Sequence, residues 1–131
     1  MRKFLQNKLW RDKIPALLEA TGSIIQMQPL SDEAYDLQLK NKLIEETQEI
    51  IAATNKQEIM YECADLLETL DALYALHAIS EADVKAIQEQ KRAERGGFFE
   101  RKFVSTVQHQ PGSFGEKYCL ANPEKYPEII E

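Results

Sequence analysis

The chain predicts an all-α fold, a helical bundle with a metal site between two central antiparallel helices. Three observations lead there. Apolar residues recur at three- and four-residue spacing almost throughout, capping residues open the periodic stretches, and glycine or proline interrupts them. A first short helix is expected from near Asp12, with Pro15 tolerated in its opening turn and Gly22 as the stop. Met27–Leu30, which contains Pro29, is a connection. Ser31 then reads as an N-cap, and Asp32 and Glu33 suit the positive end of the helix dipole. That helix is expected to continue to about Thr54, with Leu39, Leu43, Ile44, Ile50 and Ile51 on its apolar side.

Asn55, followed three residues later by Glu58, resembles a capping box and opens the next helix. It runs to about Ala78, with Ile59, Cys63, Leu66, Leu67, Leu70, Leu73 and Tyr74 as core candidates. Ser80 with Asp83 marks a further start, and Gly96-Gly97 ends that helix. Phe98–Val107 alternates basic, aromatic and β-branched residues and reads as an extended segment. The tail, Gln108–Glu131, carries three prolines, two glycines and no clear period. The organisation expected is a helical catalytic domain at 1–104 and a C-terminal extension at 105–131.

Chemistry concentrates between Leu43 and Leu70. One helix carries Glu45-Glu46-Thr47-Gln48-Glu49 and the next carries Glu62-Cys63-Ala64-Asp65. Helical positions three apart lie about 60° apart around the axis and about 4.5 Å along it. Glu46 and Glu49 therefore share a face, as do Glu62 and Asp65. Acid pairs at this spacing often mark nothing more than a solvated face. Here Ile44, Ile50 and Ile51 surround the first pair, and Cys63, Ala64, Leu66 and Leu67 surround the second. An acid inside an apolar stripe needs a partner, because burying an unpaired charge is costly. Two unit charges 4 Å apart repel by about 4 kcal/mol at an effective dielectric near 20. Four converging carboxylates call for a cation, and oxygen-only ligands select Mg²⁺ or Mn²⁺.

Composition limits the alternatives. A chain of 131 residues, 44% hydrophobic, matches one modest folded domain rather than a disordered one. No apolar run approaches the roughly 20 residues of a membrane span, and the basic N-terminus has no apolar stretch behind it to make a signal peptide. Cys63 and Cys119 are isolated, so no disulfide framework is expected and a reduced, cytoplasmic setting is the default. The net charge of −6 argues against general nucleic-acid binding, which needs a basic face.

The acidic set, Glu-Glu-x-x-Glu at 45–49 and Glu-x-x-Asp at 62–65, resembles the signature of the MazG-like all-α nucleoside triphosphate pyrophosphohydrolases. That superfamily includes phosphoribosyl-ATP pyrophosphohydrolase and dimeric dUTPases. Two further blocks are similar to a small MazG-like subgroup. One is Lys8-Leu9-Trp10-Arg11-Asp12-Lys13-Ile14-Pro15, with Trp10 in place of a smaller apolar residue. The other is Lys91-Arg92-Ala93-Glu94-Arg95-Gly96-Gly97-Phe98. The resemblance covers about residues 8–104, and the tail departs from the short ending expected of the subgroup.

The resemblance implies Mg²⁺ held by Glu46, Glu49, Glu62 and Asp65, with Glu45, Glu46 and Glu49 as the catalytic acids. Glu45 would orient a water or act behind the ligands. It also implies hydrolysis between the α- and β-phosphates, giving a nucleoside monophosphate and pyrophosphate. Arg11, Lys13, Lys91 and Arg95 would supply the positive charge a triphosphate needs; the last two equally suit a helix C-terminus. Trp10 reads as core or interface more readily than as a base-stacking residue, and His77 as a helix-end residue. A homo-oligomer, dimer or tetramer, is implied as well. Two competing functions are a non-catalytic helical interaction module and phosphoribosyl-ATP hydrolysis by the same chemistry. A di-metal redox bundle is disfavoured, since Glu49 and Asp65 stand where Glu-x-x-His pairs would place histidines.

Overall fold

A computed structural model describes all residues, Met1–Glu131, and is entirely helical between its connections. The helices are α1 (Ile14–Glu19), α2 (Asp32–Ala52), α3 (Lys56–Leu76), α4 (Glu81–Arg95) and α5 (Phe114–Ala121). The chain divides into two compact units, Met1–Glu94 and Arg95–Glu131.

Within the first unit, α2 and α3 make the extensive helix–helix contact. Their ends follow from local chemistry. The Ser31 hydroxyl accepts from the Ala34 amide at 3.2 Å, and the Asn55 side chain accepts from the Glu58 amide at 2.9 Å. Glu58 reaches back to the Thr54 amide, one residue ahead of the position a capping box uses. With three residues between the helices, the chain has no path except back along α2, so the pair is antiparallel. Both α1 and α3 close by bonds that wrap the last turn: Ser23 N–H donates to Leu18 O, and Ile79 N–H donates to Tyr74 O. The first closure uses Gly22 at φ +95°. The second places Ala78 at φ +53°, which glycine would adopt at less cost.

Little apolar surface is sealed. Leu39 is the buried apolar side chain, while Leu43, Ile50, Leu66, Leu70, Leu73 and Tyr74 are half-buried. Ile44, Ile51, Ile59, Cys63 and Leu67, expected in the core, are exposed instead. A helix pair has one shared seam, and apolar residues on its outer sides have nothing within the pair to cover them.

The second unit also departs from expectation. The tail contains α5, opened by the Ser113 side chain accepting from the Glu116 amide, while Glu116 accepts from the Gly112 amide. Phe114 stacks on Tyr118, whose ring packs against Tyr126. An eight-residue helix is too short to show a 3.6-residue period in the sequence; its cap and aromatics define it. Phe98–Val107 forms no strand, and Phe98–Arg101 is a turn with Arg101 at φ +59°.

Candidate metal centre

Glu46 on α2 and Glu62 and Asp65 on α3 each bring a carboxylate oxygen within 4.8 Å of the other two. The three positions come together because antiparallel packing sets the middle of α2 beside the first half of α3. Glu46 is buried at 5% exposure, and Glu62 and Asp65 are half-buried. Glu49 is exposed at the margin, outside this triplet, but its charge is felt by Glu62. Partial burial raises the Glu62 pKa above its ordinary 4.5, and the charges of Asp65, Glu49 and Glu46 push it further. The site is short of positive charge.

Three cations reach into this region. Lys42, one turn before Glu46, lies 3.1 Å from Glu46 and 3.3 Å from Glu45. Burial alone would lower the lysine's pKa, but the bond to Glu46 and the charge of Glu45 reverse that and raise it. Lys42 is thus held charged. The Lys8 ammonium also reaches Glu45 at 3.3 Å, and the Arg11 guanidinium donates to Asp65 Oδ1 at 2.6 Å. Lys42 escaped the sequence reading, although its three- and four-residue spacing to Glu45 and Glu46 was a usable signal.

The remaining basic candidates have no such engagement. Lys13 sits at the N-cap of α1, and Lys91 and Arg95 on α4; all three are exposed and form no ion pair. Arg95 belongs to the second compact unit. Trp10 is half-buried, and His77 caps α3 with its Nε2 at 2.6 Å from Asp36.

The donor set suits a hard divalent cation. All three converging donors are carboxylate oxygens, no sulfur or imidazole joins them, and their mutual repulsion favours a positive ion in their midst. No curated protein and no solved structure matches this chain. A family model, phosphoribosyl-ATP pyrophosphohydrolase, matches residues 20–92, more than half of its length and a span containing all five acids. That agrees with the resemblance to the MazG-like superfamily. The chain belongs to the phosphoribosyl-ATP pyrophosphohydrolase family.

Proposed function

We propose that the protein is a Mg²⁺-dependent nucleotide pyrophosphohydrolase that splits a nucleoside triphosphate, or a related nucleotide, into the monophosphate and pyrophosphate. The observation that carries this reading is the convergence of Glu46, Glu62 and Asp65 in a family member's seam where acids outnumber cations. Glu46, Glu62 and Asp65, with Glu49 completing the set from its margin, are the residues that would hold Mg²⁺ or Mn²⁺. Bound there, the ion would neutralise phosphate oxygens and make water more acidic. Glu45, outside the triplet and held by Lys8 and Lys42, is the acid suited to orient that water. Arg11 and Lys13, with Lys91, are assigned to the phosphates, and Arg95 is the further cation that the sequence resemblance suggests for them. The catalytic domain is taken as residues 1–104, with 105–131 an extension, in a cytoplasmic protein.

Phosphoribosyl-ATP is the second substrate reading, favoured by the description of the matching family. It carries the same scissile anhydride. Pyrophosphate and orthophosphate release should be measured on standard and modified nucleoside triphosphates and on phosphoribosyl-ATP, with Mg²⁺ or Mn²⁺. Metal-dependent pyrophosphate is expected, and the ranking separates the two substrates. Folded, metal-bound protein that releases nothing from any of them would leave the interaction-module reading instead.

A homo-oligomer is part of the same proposal. Ile44, Ile51, Ile59 and Leu67 leave the α2–α3 pair with uncovered apolar sides, which a second copy of the chain would cover. Light scattering should give a mass of two or four chains; a single-chain mass of 15.1 kDa would refute it.

A further inference from the structure

The non-helical segment ahead of α1 crosses the acid-bearing seam. Lys8 binds Glu45 on α2 and, three residues later, Arg11 binds Asp65 on α3. Leu9 and Trp10 between them are half-buried, so the segment is held at both charges and at its middle. Its cations pair with acids 37 and 54 residues away in the sequence, contacts that local propensity does not create. The Arg11 contact falls on one of the three carboxylates that converge.

We propose that the segment Lys8–Lys13 is a resident electrostatic strap. Arg11 and a divalent cation compete for Asp65, and Arg11, once released, is handed to the substrate's phosphates. This rests on the reading of Glu46, Glu62 and Asp65 as the cation site. Two physical facts support exchange over permanent attachment. A guanidinium and a divalent cation repel one another when they share a carboxylate. The Arg11–Asp65 pair is also partly open to water, at 56% and 39% side-chain exposure, and such pairs are held weakly enough to be displaced. Arginine's fork is suited to phosphate once freed.

The test uses the full chain, with Mn²⁺ alone and then pyrophosphate as probes, followed by calorimetry. Arg11→Gln should bind Mn²⁺ about two- to fivefold more tightly than the unaltered protein, because the competitor is gone. At saturating Mn²⁺ the same variant should bind pyrophosphate more weakly. Opposite signs are the signature, since simple loosening of the fold would weaken both. Trp10, the one tryptophan of the chain and half-buried within the segment, should become more accessible to acrylamide quenching in the unaltered protein when Mg²⁺ is added. Unchanged or weaker Mn²⁺ binding by Arg11→Gln overturns the strap, as does Trp10 quenching that ignores the metal, or pyrophosphate affinity that the substitution leaves intact. Asp65→Asn separates the levels of failure. If it binds Mn²⁺ as well as the unaltered chain does, the cation-site assignment falls and takes the strap with it. If it binds poorly while Arg11→Gln gains nothing, the strap alone is wrong.

Discussion

Two acidic positions along the α2–α3 seam have opposite electrostatics. At the open end, Asp36 meets Lys40 at 2.6 Å on its own helix and His77 at 2.6 Å from the end of α3. The hydrogen bond from Lys40, and then that with His77, lowers the Asp36 pKa below its ordinary 3.8. Further along, Glu62 sits among Asp65, Glu49 and Glu46, and its pKa rises. One acid is supplied with cations; the others outnumber theirs. The first arrangement is a latch between helix ends, and the second is an excess of acid whose donors suit a cation. Acidity alone does not distinguish them, but the local charge balance does.

The sharpest way to break this comparison is Glu62→Gln. Turnover with Mg²⁺ should fall by at least about a hundredfold, since several kcal/mol of charge stabilisation depend on the ion being held. The metal-free protein should at the same time become more stable at neutral pH. With Glu62's folded pKa raised, the native state holds a proton that the unfolded chain has released, so stability falls as pH rises through the window above 4.5. Glutamine carries no such liability, and its advantage should vanish below that window. Melting curves across pH would reveal this; a less stable variant at neutral pH would mean that the acids are mutually satisfied.

Asp36→Asn should show a smaller effect of opposite sign. Because Asp36's folded pKa is depressed, its stabilisation is present above 3.8 and is lost as pH falls through the folded value. The variant should be slightly less stable at neutral pH, with the difference closing under acid. Pyrophosphate release should be unchanged. Denaturant midpoints from neutral pH down to about 3, beside one activity measurement, test both halves.

How much of this was legible beforehand can be argued from individual residues. The Ser31 and Asn55 caps and the Gly22 stop are local, so the positions of α2 and α3 and the end of α1 could be read directly. The acids share faces by helical arithmetic, and the three-residue connection fixes the direction of the pair. Glu46, Glu49, Glu62 and Asp65 were therefore visible as a group before any coordinates, and all but Glu49 converge in the structure. The short α5 was not, because eight residues give too little period to recognise.

What the sequence alone determined is the run of helices from α1 to α4, the type of charge they carry and the family to which the chain belongs. Tertiary structure decided the rest. It set Glu49 at the margin rather than among the closest three, and it left Ile44, Ile51, Ile59 and Leu67 uncovered. It also laid Lys8 and Arg11 across two helices far away in the chain. The physical reason is range. Caps and helical faces depend on neighbours within one or two turns, whereas burial and charge pairing depend on which distant segment arrives to share the same few ångströms.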